Sequence, residues 1–104
     1  FPVGRYTISW SGPGTALRAT RLERVVQTIE NVDALLPLDR RYLLVGSGPE
    51  VTFWDLSYVP ARSVRTWNFG GVTVGFLLNG STLHAVGRNY GVVTGRLSRT
   101  TSAN

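Results

Sequence analysis

Val72, Val74, Phe76 and Leu78 occupy every second position up to Asn79-Gly80, and residues 82–86 continue the chain as a second apolar run. Period-two spacing places alternate side chains on one face of an extended strand. Asn-Gly between two such runs predicts a hairpin closed by a two-residue type I′ turn, because both residues tolerate positive φ. Such a turn sets the register. Leu78 is expected opposite Ser81, Phe76 opposite Leu83, Val74 opposite Ala85, and His84 opposite Gly75 on the other face. A chain carrying this unit must build an antiparallel sheet with an apolar face, and that face needs a cover.

The same chemistry recurs on both sides of the hairpin. Residues 4–10 alternate, with Tyr6, Ile8 and Trp10 on one face, and Ser11-Gly12-Pro13-Gly14 breaks the run. Residues 41–45 read as a short strand, Gly46-Ser47-Gly48-Pro49 as a turn, and residues 50–59 as a strand rich in Val, Phe, Trp and Tyr. After Pro60, residues 64–69 form another strand, closed by Gly70-Gly71. Residues 87–91 make a second hairpin turn into a last strand at 92–97.

One segment carries a different period. Leu22, Val25, Val26, Ile29, Val32, Leu35 and Leu36 follow helical spacing, Thr20 and Glu23 stand at capping-box separation, and Pro37 supplies a stop. The pattern predicts an amphipathic helix over residues 20–36. Val25, Val26 and Thr28 also suit a strand, because β-branched side chains are stiff at χ1. The expected fold class is therefore α+β, one helix on an antiparallel meander of five to six strands. If residues 22–36 are extended, the alternative is an all-β sandwich or jelly roll. One compact domain is expected over residues 1–97, followed by a flexible polar tail over 98–104.

A chain of 104 residues supports one hydrophobic core. It has no cysteine, so no disulfide framework or thiolate metal site is available. No apolar run reaches the length of a membrane span, and the first residues lack the pattern of a signal peptide. Absence of an initiating methionine suggests excision from a larger polypeptide. The compartment is left open by these features, which are compatible with cytoplasm or virion.

All eleven basic residues are arginine, against six carboxylates, for a net charge of +5. Arginine pairs bidentately with carboxylate and phosphate and stacks on aromatic rings. Arg21 and Arg24 stand beside the apolar stripe, Arg62 and Arg65 flank the approach to Trp67, and Arg88 precedes Tyr90 in the last hairpin. These residues, with His84, are the expected binding positions. Arginine, tryptophan and tyrosine dominate protein–protein hot spots, and basic residues among rings also suit single-stranded RNA.

Catalytic patterns are weaker. His84 is the sole histidine, and acid–base cleavage of RNA would need it beside Glu50 or Asp55 and an arginine. The acidic residues show no calcium-loop clustering, and the glycine turns lack a phosphate-loop Lys-Ser/Thr. Neither a metal nor a cofactor is expected. Asn79-Gly80-Ser81 matches a glycosylation sequon, but the hairpin turn already accounts for it. The expected function is a non-enzymatic interaction module of a larger protein or assembly, binding a protein partner or a second copy of itself, a coat-protein surface domain being one example. A basic RNA-binding domain and a small ribonuclease are the alternatives.

Overall fold

A computed structural model describes residues 1–96, and every regular element in them is a β-strand. In chain order these are β1 (Pro2–Val3), β2 (Tyr6–Trp10), β3 (Thr15–Arg21), β4 (Arg24–Leu38), β5 (Tyr42–Ser47), β6 (Glu50–Asp55), β7 (Arg62–Asn68), β8 (Thr73–Asn79), β9 (Thr82–Gly87) and β10 (Gly91–Arg96). Strands β1 to β7 pair antiparallel in sequence order as one sheet, and β8, β9 and β10 make a second sheet of three strands. The expected tail and Leu97 lie outside the described residues.

The helix expected over residues 20–36 is not formed, and the α+β class is corrected to all-β. Thr20 and Glu23 belong to a hairpin instead of a capping box. Leu22 and Glu23 adopt φ of 53° and 63°, and Arg21 pairs with Arg24 across the turn. The helical stripe fails as a buried surface, since Leu22, Val25 and Val26 are 80%, 55% and 46% exposed. The first half of this segment pairs with β3 and the second half with β5, and its β-branched residues fit the pleated surface. Tertiary pairing thus overrides the local helical pattern.

Strand β4 runs for fifteen residues and serves two layers. Its first half pairs with β3 and its second with β5, and Asn31 at φ 52° lies between them. Register shifts fall on both sides of this point, as expected where a strand bends. Strands β1 to β3 thereby pack on one face of the strands that follow. Val3, Tyr6, Ile8 and Leu17 meet Leu43, Val45 and Trp54 in one core. On the opposite face Leu44 and Val51 meet Phe76 and Leu83 of the three-stranded sheet. The architecture is three β-layers stacked face to face, with β5 and β6 in the middle.

Close docking of the third layer depends on Gly46. A Cβ there would lie 3.2 Å from the Cβ of Thr73, a residue with no exposed surface. The missing side chain lets β8 approach β5 at van der Waals distance.

The Asn79-Gly80 hairpin forms, with each pairing shifted by two residues from the expected one. Asn79 pairs with Thr82, Leu78 with Leu83, Leu77 with His84 and Phe76 with Ala85. The loop is therefore Gly80-Ser81, with Gly80 at φ 61°. Phe76, Leu78, Leu83 and Ala85 keep their expected common face, but the irregularity between Thr73 and Gly75 takes Val74 off it: Val74 is 50% exposed, and Ala85 pairs with Phe76 instead. His84 lies opposite Leu77, not Gly75.

Candidate functional site

A bulge in β7 decides where its arginines point. Asp55 pairs with Arg62 and Phe53 with Arg65, while Trp54 pairs with Ser63, so Val64 is the extra residue. Strict alternation would send Arg62 and Arg65 to opposite faces. The bulge restores them to one face, and Trp67, opposite Val51, shares it. This is the face of the central layer that carries Leu44 and Val51, at the end that the third layer leaves open.

Here rings and guanidinium groups alternate. Tyr42 stacks on Phe53 with centroids 4.9 Å apart and planes 21° apart. The Arg41 guanidinium lies 5.0 Å from the centroid of Tyr42, Arg65 lies 5.3 Å from that of Trp67, and Arg62 lies 4.1 Å from that of Tyr58. Such contacts are individually modest at exposed sites, about 0.5–1 kcal/mol each. Their structural effect is to hold three flexible side chains in defined planes. Among the described residues no carboxylate is paired with Arg62 or Arg65.

The loop between β6 and β7 is tied down at several points. The Tyr6 hydroxyl donates to the Tyr58 carbonyl at 2.7 Å, and Arg5 Nε donates to the Ser57 carbonyl at 2.8 Å. Burial pushes the Tyr6 phenol above its ordinary range, with Arg21 and Arg5 pulling in the opposite direction. Tyr58 itself is 41% exposed, so its ring is presented and not packed away.

Asp55 is a structural carboxylate. Arg41 donates to it through Nε and Nη2, the latter at 2.9 Å, and the Ser57 amide and hydroxyl donate at 3.0 and 2.7 Å. Burial alone would raise the Asp55 carboxyl, but the hydrogen bonds from Arg41 and Ser57 and the Arg41 charge outweigh it and hold it at about 2. The same hydrogen bond raises Arg41 further above its ordinary value. Arg41 thereby spends its charge inside the fold, whereas Arg62, directly across from Asp55 in the ladder, does not.

The other expected positions are dispersed. Arg21 and Arg24 flank the turn of the β3–β4 hairpin, in the first layer. His84 sits in the third layer, its Nδ1 2.9 Å from the Thr94 hydroxyl, with Leu77 and Thr94 as cross-strand neighbours. Glu50 and Asp55 lie in the other sheet, and no hydrogen bond or ion pair joins them to His84 among the described residues. Arg88 is in the β9–β10 turn, its amide donating to the Val72 carbonyl at 3.0 Å. Tyr90 is a packing residue: its hydroxyl bonds that of Thr73 at 2.6 Å, its ring tilts against Phe69, and it fills the space above Gly87, where a Cβ would collide with it.

Of the eight positions expected from sequence, Arg62, Arg65 and Trp67 come together. Arg41, Tyr42, Phe53 and Tyr58 complete the face and were missed. One signal for them was present. Reflecting the chain about the Gly48-Pro49 turn sets Tyr42 against Asp55 and Leu44 against Phe53. Among the described residues no three His, Asp or Glu side chains gather closely enough to hold a metal ion.

No family model and no curated protein matches this chain. Among solved structures, the fold is similar to the crystal structure of the computationally designed Ika4 protein, at TM-score 0.64 and 10% identity. The match covers 90% of this chain and 61% of that one, so the chain spans about three-fifths of that structure's length. At this identity the likeness shows the fold alone.

Proposed function

We propose that this chain is a non-enzymatic interaction module whose contact surface is the arginine–aromatic face of β5 to β7. The observation that carries this reading is the Val64 bulge, which puts Arg62, Arg65 and Trp67 on one side with Arg41, Tyr42, Phe53 and Tyr58. Guanidinium groups held over rings, with charge not neutralised internally at Arg62 and Arg65, match the composition of binding hot spots. The net charge of +5 favours a negatively charged partner. A second copy presenting the same face would meet like charge, which disfavours self-association through it. Nothing in the fold supports the coat-protein example. No helix among the described residues is long and apolar enough to cross a membrane.

The reading is tested by titrating the full chain against labelled poly-glutamate and oligouridylate at low ionic strength. Binding to at least one polyanion is expected, weakening as salt rises, and the double variant Arg62→Glu/Arg65→Glu should abolish it. Equal binding by the variant, or no binding to either probe, overturns the proposal. Both arginines are exposed, so circular dichroism of the variant should match that of the parent.

A further inference from the structure

We infer that the outer edge of β7 receives an extended acidic peptide segment of a partner protein, added to the sheet as an eighth antiparallel or parallel strand. This rests on the interaction face proposed above and specifies what that face recognises.

Strand β7 ends the order of the larger sheet, and no described strand pairs with its outer side. Every residue of it is exposed except Trp67, which is half-buried. An edge of this kind offers a row of unpaired amides and carbonyls, the template used when a peptide joins a sheet. Edge strands usually carry devices that prevent indiscriminate pairing, and charged residues and bulges are two of them. Here both devices act in one direction. Arg62 and Arg65 repel a basic strand and offer nothing to a neutral one, but they complement a strand bearing carboxylates.

The spacing is specific. Across the sheet Arg62 and Arg65 face Asp55 and Phe53, which are two residues apart, so the bulge compresses the arginines to the repeat of one strand face. That repeat is about 6.5–7 Å. An incoming extended strand with carboxylates at alternate positions presents them at the same repeat and on the same side. Asp55 cannot serve as their internal substitute, because Arg41 and Ser57 occupy its oxygens.

The rings contribute preorganisation. Contact with Tyr58 and Trp67 fixes the planes of the two guanidinium groups, so less side-chain freedom is lost when a bidentate carboxylate pair forms. The same contacts argue against RNA as occupant. Each ring already has a guanidinium over it where a base would stack, and a nucleic-acid strand has no backbone pattern to match a sheet edge. Arg21 and Arg24 stand at the β3–β4 turn and Arg88 at the β9–β10 turn, not on β5 to β7.

The test uses the full chain and three fluorescent probes: a short peptide of alternating Glu and Thr, the same peptide with alternate amides N-methylated, and oligouridylate. The unmodified acidic peptide should bind, should protect the amides of residues 62–68 from hydrogen exchange, and should weaken on the order of tenfold or more on N-methylation of the strand edge that pairs. Arg62→Glu/Arg65→Glu should remove binding, and a Lys-Thr peptide should not bind the parent chain. If both forms of the acidic peptide bind equally and the charge reversal removes both, strand addition is wrong while the interaction face stands. If oligouridylate binds more tightly than the peptide, the partner class is wrong. Failure of every anionic probe overturns this inference and the proposed function together.

Discussion

The two faces of the central strands β5 and β6 solve different problems with adjacent residues. One face sends Leu43, Val45 and Trp54 into the core beneath β1 to β3, where Leu43 is 1% exposed. The other buries Leu44 and Val51 beneath the three-stranded sheet, then runs past its cover. Tyr42, Phe53 and Trp67 stand at that boundary, half-buried, and arginines lie over the outermost rings. Where a covering layer ends, an aromatic body can pack inward while its outer surface meets a cation and water. The closed face holds the fold together, and the open one is available for contact.

This contrast can be broken by experiment. The largest effect is expected from Leu43→Ala, which leaves a cavity between two layers and should cost about 3 kcal/mol in urea denaturation. A cost below about 1 kcal/mol would show that the closed face is not close-packed. Asp55→Asn comes next, at about 2 kcal/mol near neutral pH, since the buried Asp55 oxygens accept from Arg41 and Ser57. Its pH dependence has a definite sign. The folded-state value of about 2 lies below the ordinary 3.8, so the stabilisation is present above about pH 4 and is lost as pH falls toward 2. In Asp55→Asn that portion of the acid limb should flatten. Smallest is Arg65→Ala on the open face, expected to cost under about 1 kcal/mol while weakening anion binding severalfold. A larger loss of stability would assign Arg65 to the fold instead of the contact surface.

How much of this was legible beforehand varies by element. Strands around Tyr6, Ile8 and Trp10 and around Phe76, Leu83 and Ala85 follow from alternation and turn residues, because both signals are local. The Asn79-Gly80 hairpin was readable, but its register was not, since the loop settles on Gly80-Ser81. Moving the loop by one residue shifts each pairing by two, which leaves Phe76, Leu83 and Ala85 on the core face but changes the neighbour of His84. The segment from Leu22 to Leu36 carries helical spacing in β-branched residues that also suit a strand, so its conformation depended on partners distant in the chain. In the candidate face, Arg62, Arg65 and Trp67 were visible as residues. Their convergence was not, because nothing in their spacing announces the bulge at Val64.

By itself, the amino-acid order determined where the chain turns, which short runs are extended, which side of most strands is apolar, and that the surface charge is arginine alone. Those properties come from backbone sterics and side-chain chemistry within a few residues. Tertiary structure decided that β4 is a strand shared by two layers, that Gly46 lets the third layer dock, and that three arginine-bearing positions meet rings on one face. Each of these depends on backbone pairing or burial against residues remote in sequence, and such energies exist only once the layers are stacked.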